Sequence, residues 1–215
     1  LERVAVDEAG GVDVADGVRA RFWNAGHLLG SSSIELEFAG EGEAGQPLRV
    51  LFSGDLGPDQ KLLQPDPEAP TGFDYVIAEA TYGDIDRPAT SAAARRQRLA
   101  VAVREAAAAK GALLIPAFAV ERTQELIVEL ADLMERGEIP PAPIFLDSPL
   151  AIRATEVFRQ HAAALDGDID LERALRTPQL RFTETADESK AIAKLSGFHI
   201  TIAATGMCEA GRIPQ

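Results

Sequence analysis

The chain has 215 residues, of which 46% are apolar, 26% are charged and a single one is cysteine. It contains no run of 18 apolar residues, which excludes a membrane-spanning helix, and the single cysteine excludes an internal disulfide and indicates a reducing, cytoplasmic compartment. A net charge of −13 argues against tight, non-specific coating of nucleic acid but leaves room for a focused site.

Residues 1–86 are predicted to be rich in β-strands. Short runs of β-branched and aromatic residues alternate there with turns rich in Gly, Glu and Pro. The predicted strands cover residues 3–6, 18–23, 33–38, 48–52 and 73–78. This part holds 5 Lys/Arg against 17 Asp/Glu, so a polyanionic substrate should avoid it unless bound cations offset its charge.

From residue 87 onward, strands are predicted to alternate with helices. Helices are predicted at 92–110, 123–136, 149–163 and 187–194, and strands at 112–115, 143–146, 179–182 and 199–203, with 165–178 a loop containing a helical turn. Short apolar strands separated by helices predict βαβ crossovers and a mostly parallel sheet covered on both faces. With 16 Lys/Arg against 17 Asp/Glu, this part repels a polyanion far less.

Two short motifs place a histidine and an aspartate at the ends of apolar runs. Gly-His-Leu-Leu-Gly-Ser occupies 26–31, and Ser-Gly-Asp occupies 53–55. Strand ends can bring such residues together, and imidazole and carboxylate are suitable ligands for Zn²⁺. Taken alone, the pair fits a structural histidine and an ordinary turn at least as well.

Four further motifs follow in a fixed order. They are Glu-Ala-Thr-Tyr-Gly at 79–83, Val-Glu-Arg-Thr-Gln-Glu-Leu at 120–126, Asp-Ser-Pro-Leu at 147–150 and Gly-Met-Cys-Glu-Ala-Gly-Arg at 206–212. Together with the first two, they resemble the β-CASP branch of the metallo-β-lactamase superfamily. The resemblance implies an α/β fold in which residues 1–86 form part of a metallo-β-lactamase αββα sandwich. Residues 87–215 would form most of a β-CASP α/β cassette with a mostly parallel sheet.

The resemblance also assigns roles in metal binding and catalysis. In that family the histidine of the first motif binds one zinc ion and the aspartate of the second bridges two, which implies His27 and Asp55 as ligands of a two-zinc centre. Glu79 matches the acidic residue that pairs with the family's general-acid histidine, where a carboxylate raises the pKa of the imidazole and orients it. The alternative for Glu79 is a strand-end residue that caps a turn.

Substrate-binding residues are predicted at the strand-to-helix junctions. Arg122 could bind a phosphate with two parallel hydrogen bonds. Many relatives, however, have glycine where Glu121 stands. The alternative role for Arg122 is a structural Arg–Glu pair. Ser148 is either a substrate contact or simply the N-cap of the next helix. Gly206 and Arg212 belong to a glycine-bearing turn whose backbone amides suit anion binding.

Other parts of the family pattern are absent. The chain has three histidines, His27, His161 and His199, and no His-x-His-x-Asp-His segment precedes His27, although that segment supplies most of the family's metal ligands. The family's late histidines, one of them the general acid, lie beyond the 206–212 motif. We therefore expect an internal part of a longer protein, inactive by itself.

The resemblance implies zinc-dependent hydrolysis of phosphodiester bonds in RNA by the longer protein. Its predicted partner is single-stranded RNA, with a homodimer as one allowed assembly and no membrane involved. Two alternatives stay open, namely a non-catalytic scaffold subunit of an RNA-processing complex and a DNA-repair nuclease of the same architecture. The intact His27, Asp55 and Glu79 speak against the scaffold, and the 79–83 motif speaks against a thioesterase or lactamase.

Overall fold

Two β-sheets, one in each of two structural units, organise the chain. The computed structural model describes residues 11–86, 90–165 and 170–204. The units comprise Leu1–Ala89 and Thr90–Gln215. The first is β-rich and the second carries an all-parallel sheet with helices between its strands, so the α/β fold class predicted from the sequence is confirmed.

The first unit is a five-stranded sheet in the order β1-β2-β3-β4-β5. Its strands are β1 Val12–Ala15, β2 Val18–Asn24, β3 Ser32–Phe38, β4 Leu48–Phe52 and β5 Tyr75–Ile77, with a 3₁₀ turn at Glu43–Gly45. Neighbours are antiparallel except for β5, which is parallel to β4. The predicted strand at 3–6 lies outside the described residues. The sequence pattern missed β1, an acidic segment that pairs because Gly17, at φ 69°, closes a tight turn onto β2.

One face of this sheet carries a buried polar network. Glu35 on β3 is 1% exposed. The indole N–H of Trp23 donates to its Oε2 (2.9 Å), and the guanidinium of Arg49 donates to its Oε1 from Nε (2.9 Å) and lies 2.8 Å from it through Nη2. The same guanidinium lies 4.8 Å from the centre of the Phe73 ring. Both carboxylate oxygens are thus satisfied, which is the condition under which a buried ion pair is tolerated.

Replacing Arg49 by methionine is expected to lower the free energy of unfolding by roughly 3 kcal/mol, because it leaves the buried Glu35 carboxylate without its cation. Urea unfolding followed by circular dichroism measures the loss. Arg19→Met is the matched control, since among the described residues the one ion pair of Arg19 is a 3.9 Å contact with the exposed Asp13, and this variant should lose no more than about 1 kcal/mol. Equal losses at the two positions would contradict the role given to the network.

The second unit alternates strands and helices. Its elements are α1 Ala92–Ala108, β6 Ala112–Ala117, α2 Arg122–Glu135, β7 Ile144–Leu146, α3 Pro149–Gln160, α4 Leu171–Leu175, β8 Leu180–Phe182, α5 Ala186–Ile192 and β9 His199–Ala204, with a 3₁₀ turn at Ala162–Ala164. The strand order is β6-β9-β7-β8, and every pairing is parallel. The predicted helical turn within 165–178 is α4. In the described part of the chain, no helix has both the length and the apolar character needed to cross a membrane.

The core of the second unit lies on one face of its sheet. Ile144 of β7 and Ile200 and Ile202 of β9 are fully buried, as are Ile127 and Leu130 of α2. Because all four strands run the same way, their carboxyl ends lie along a single edge, where ligands of open α/β sheets bind. The segments that follow β6 and β7 at this edge carry Arg122 and Ser148.

Candidate active site

The histidine motif forms a closed loop between β2 and β3. The backbone N–H groups of His27 and Leu28 both donate to the Ser31 hydroxyl (2.9 and 3.0 Å), and Ala25 N–H donates to the Ser31 carbonyl (3.1 Å). Gly26 sits at φ 62°, a conformation that favours glycine. The serine and glycine of this motif thus shape the loop that presents His27.

The aspartate motif follows β4 and is bonded to the histidine loop. Ser53 is buried, donates its N–H to Ile77 O of β5 (2.9 Å) and accepts the Ser33 hydroxyl at its carbonyl (2.7 Å). Two residues beyond the exposed Asp55, Gly57 N–H donates to Ala25 O (2.8 Å). The two loops approach so closely that a Cβ on Gly57 would lie 1.9 Å from Gly26 O.

Glu79 follows β5 and is tied to the aspartate loop at both its backbone and its side chain. Its N–H donates to the Ser53 hydroxyl (2.9 Å), and its Oε1 accepts the Leu56 N–H (2.7 Å). The pKa of Glu79 lies below its ordinary value, chiefly because of a hydrogen bond to the Thr81 side chain and then because of the Leu56 N–H, with a small contribution from nearby His27. Glu79 is therefore an ionised acceptor at neutral pH.

Hydrogen bonds of the backbone and of the Ser53 and Glu79 side chains thus join the loops of His27, Asp55 and Glu79 within the first unit. The Lys61 ammonium adds a bond to the His27 carbonyl. The sequence predicts roles for His27, Asp55 and Glu79 but gives none to Ser53, Gly57 and Lys61, which connect their loops. Ser53 was visible as the first residue of the Ser-Gly-Asp motif, whereas no sequence signal marked Lys61.

The side chains of His27 and Asp55 are of the types that form part of a zinc centre. Imidazole nitrogen and carboxylate oxygen are zinc donors, but a tetrahedral site needs four ligands. Over residues 11–86, 90–165 and 170–204, no three His, Cys, Asp or Glu side chains are grouped so that they could hold a metal ion. His27 and Asp55 therefore remain predicted ligands, and they would need further donors to complete a two-zinc site.

Arg122 begins α2 immediately after a strained turn. Glu121 has φ 71° and ψ −68°, and Arg122 N–H donates to Val120 O (3.0 Å), which together define a γ-turn of the rare, positive-φ type. The Arg122 guanidinium is exposed, with its Nη1 2.8 Å from Oε2 of the buried Glu125. The structural Arg–Glu pair considered from the sequence exists, then, but its acid is Glu125. Arg122 as a phosphate ligand stays a prediction.

Two side chains of α2 hold the preceding loop in place. The Thr123 hydroxyl donates to Phe118 O (2.7 Å). The Gln124 amide donates to Ala119 O (3.1 Å) and to the Thr155 hydroxyl of α3 (2.9 Å). The motif around Arg122 therefore fixes the loop between β6 and α2, and with it the direction in which the Arg122 side chain extends from the sheet edge.

Ser148 is the N-cap of α3. Its hydroxyl accepts the Ala151 N–H (3.2 Å), and the residue is buried, as the capping alternative anticipates. A substrate contact by Ser148 stays a prediction. Gly206 and Arg212 lie outside the described residues.

Comparison with known proteins decides the family. The family description "Beta-Casp domain" matches residues 123–215. The chain is 34% identical over 197 residues to ribonuclease TTHA0252 of Thermus thermophilus, an alignment that covers 89% of this chain and 43% of that protein. The chain belongs to the β-CASP metallo-β-lactamase family.

Other β-CASP relatives carry names that concern RNA. The chain is 30% identical over 205 residues to an RNase J-like protein of Methanocaldococcus jannaschii, covering 93% of this chain and 45% of that protein. It is 30% identical over 173 residues to endoribonuclease YSH1 of Saccharomyces cerevisiae, covering 76% and 20%. The chain thus spans less than half the length of each of these relatives.

Within this β-CASP chain, glycine at position 121 is expected to be more stable than alanine. Both substitutions remove the Glu121 carboxylate, but only glycine relieves the positive-φ strain. Glycine also makes the unfolded chain more flexible, which offsets part of this gain. The free energy of unfolding of the glycine variant should therefore exceed that of the alanine variant by about 1 kcal/mol. Thermal unfolding of Glu121→Gly and Glu121→Ala measures the difference. Ala119, which has no positive φ, is the control, and there Ala119→Gly should destabilise. Alanine at least as stable as glycine at position 121 would contradict the strain.

Proposed function

We propose that the longer protein containing this chain hydrolyses phosphodiester bonds in single-stranded RNA, with zinc as its metal. The observation that carries the proposal is the hydrogen-bonded junction of three loops. Gly57 N–H binds Ala25 O, and Leu56 N–H binds the Glu79 carboxylate, so the segments bearing His27, Asp55 and Glu79 form one constellation. The relatives named ribonuclease and endoribonuclease support RNA as the substrate.

In this proposal His27 and Asp55 are metal ligands. A neutral imidazole and an ionised carboxylate are the two zinc donors that these loops present. Bound zinc would stabilise the negative charge that develops on the phosphate oxygens during hydrolysis. The remaining donors would come from polypeptide outside these residues.

Glu79 is proposed to orient a histidine that acts as general acid. Its low pKa keeps the carboxylate charged, and a charged carboxylate beside an imidazolium raises the pKa of the imidazolium and fixes its direction. A histidine held in this way can deliver a proton to the leaving oxygen of the cleaved phosphodiester, a contribution of typically 10²–10⁴-fold.

Arg122 is proposed to bind a phosphate of the RNA backbone. The exposed guanidinium meets Glu125 through Nη1, so Nε and Nη2 have no ion pair or hydrogen bond within the described part of the chain. Those two nitrogens form the edge that binds a phosphate with parallel hydrogen bonds. The near-neutral charge balance of residues 87–215 suits this part to a polyanion better than the acidic first part.

A cleavage assay on labelled single-stranded RNA tests the proposal. With added zinc, the longer protein is expected to cleave, and the 215-residue chain is not, because it lacks several metal donors and the general acid. A DNA oligonucleotide of the same sequence separates RNA from DNA hydrolysis. Cleavage by the chain alone would contradict the incomplete site, whereas an inactive longer protein would favour the scaffold alternative.

A further inference from the structure

The loop between β6 and α2 presents an aromatic ring to solvent at the carboxyl edge of the parallel sheet. The strand β6 ends at Ala117, which is 3% exposed, and the next residue, Phe118, is 64% exposed. A single exposed apolar side chain is ordinary on a protein surface. The position of Phe118 sets it apart, because the carboxyl edge of an open α/β sheet is where ligands bind.

The backbone that carries Phe118 is anchored by two side chains of α2. The Thr123 hydroxyl donates to Phe118 O (2.7 Å), and the Gln124 amide donates to Ala119 O (3.1 Å). Both of these donors belong to fully buried residues, and the Gln124 amide also donates to the Thr155 hydroxyl of α3 (2.9 Å). The outward position of the ring therefore follows from a loop that is fixed to two helices.

The same anchor brings Phe118 to the turn of helix that carries Arg122. The hydrogen bond from Thr123 to Phe118 O joins the loop to the first turn of α2, and the γ-turn at Glu121 reverses the chain between them. The Arg122 side chain is 59% exposed, and its Nε and Nη2 make no ion pair or hydrogen bond with a described residue. An exposed ring and an exposed cationic edge thus extend from the two ends of the short segment 118–122.

A ring beside a guanidinium matches the two chemical parts of a nucleotide, which are a flat aromatic base and an anionic phosphate. A guanidinium binds phosphate through two parallel hydrogen bonds, and an aromatic side chain stacks on any base because every base has a π-face. An apolar polypeptide segment packed on Phe118 would instead desolvate the neighbouring Arg122 guanidinium without supplying an anion, which is unfavourable. The pair therefore fits a nucleotide better than it fits an apolar segment.

We propose that Phe118 stacks on a base of the single-stranded RNA whose backbone phosphate is bound by Arg122. The inference rests on the proposed function and adds a base-binding subsite to it. Stacking does not read the hydrogen-bonding edge of a base, so the subsite contributes affinity without sequence preference. A base inside a duplex is already stacked on both faces, so the subsite favours unpaired RNA.

Steady-state cleavage of single-stranded RNA by the longer protein, loaded with zinc, tests the subsite. Phe118→Leu keeps an apolar side chain but removes the ring, and it is expected to raise KM roughly tenfold while kcat changes by less than about twofold. Phe118→Tyr keeps the ring and should behave like the parent protein. An unchanged KM in Phe118→Leu would overturn the subsite alone. A parent protein that does not cleave RNA would defeat the proposed function, and the subsite with it.

An RNA that lacks a single base gives a readout that a structural role of Phe118 would not change. When the missing base is moved along the RNA, the parent protein should show a KM raised roughly tenfold at one position. At that position Phe118→Leu should show no further rise, because the stacking partner is already absent. Additive effects of the variant and the missing base at every position would overturn the proposal.

Thermal unfolding of the longer protein distinguishes a base from a polypeptide segment as the occupant of the ring. Phe118→Ala is expected to change Tm by less than about 2 °C in the absence of RNA, because the ring is exposed. Val157→Ala is the control, since Val157 is a 49% exposed apolar residue of α3. A fall of roughly 5 °C or more in Phe118→Ala alone would overturn the proposal, since the ring would then be packed inside the protein.

Discussion

Replacing Asp55 with alanine in the longer protein is expected to lower kcat/KM for RNA cleavage by roughly 10²–10⁴-fold, the equivalent of several kcal/mol of lost charge stabilisation by the metal centre. Asp55 is exposed and makes no hydrogen bond or ion pair within residues 11–86, 90–165 and 170–204. Its removal should therefore leave the free energy of unfolding within about 0.5 kcal/mol of the parent value. A large loss of activity with unchanged stability is the signature of a ligand.

Asp59→Ala is the matched control, since Asp59 is an exposed aspartate of the same segment. It should retain activity. Zinc content measured by mass spectrometry on the purified proteins distinguishes a loss of metal binding from a loss of catalysis alone. Asp55→Ala should lose metal, whereas Asp59→Ala should keep it. Full metal content and full activity in Asp55→Ala would remove Asp55 from the proposed centre.

Gly57→Ala is expected to separate the loops that carry His27 and Asp55. The added Cβ would lie 1.9 Å from Gly26 O and 2.7 Å from His27 N, so the bond from Gly57 N–H to Ala25 O cannot survive. Forced overpacking of this kind costs about 1–3 kcal/mol of stability. A shift of about 1 Å between catalytic groups can cost roughly 10²-fold in rate, and we expect RNA cleavage by the longer protein to fall by that amount.

Gly111→Ala controls for the loss of a glycine. A methyl group there meets no atom within 4 Å, and the backbone does not have positive φ. Activity and Tm should stay close to the parent values. If Gly57→Ala behaves like Gly111→Ala in both assays, the close approach of the two loops does not control the site.

Local patterns of the sequence determined most of the secondary structure. The alternation of Ile34, Glu35, Leu36, Glu37 and Phe38 predicted a strand with one solvent-exposed face. The strand is β3, but the expected faces are wrong, because Glu35 is buried whereas Ile34 is 38% exposed. The run of good helix formers from residue 92 predicted α1, which begins after the N-cap Ser91. The strand and the helix themselves are predicted correctly because strand and helix periodicity depend on neighbouring residues. The order of the motifs identified the family for the same reason. A motif is a local run of residues, so it can be recognised without knowing which residues it contacts in the fold.

The tertiary structure decided which side chains pair with one another when they are distant in the sequence. The sequence offered Glu121 as the acid beside Arg122, but the γ-turn directs the arginine to Glu125 one helical turn away. Likewise, nothing in the sequence separates the inward Glu35 from the exposed carboxylates around it. The pairing of β2, β3 and β4 brings Trp23 and Arg49 to Glu35 and so makes its burial tolerable.

The sequence by itself predicted which residues carry the chemistry, and the tertiary structure decided how their loops meet. His27, Asp55 and Glu79 are candidates because zinc ligation and proton transfer admit few side-chain types. Their junction depends on hydrogen bonds such as Gly57 to Ala25 and Leu56 to Glu79, which link positions more than 20 residues apart. Such bonds follow from sheet register and backbone approach, which only the folded chain defines.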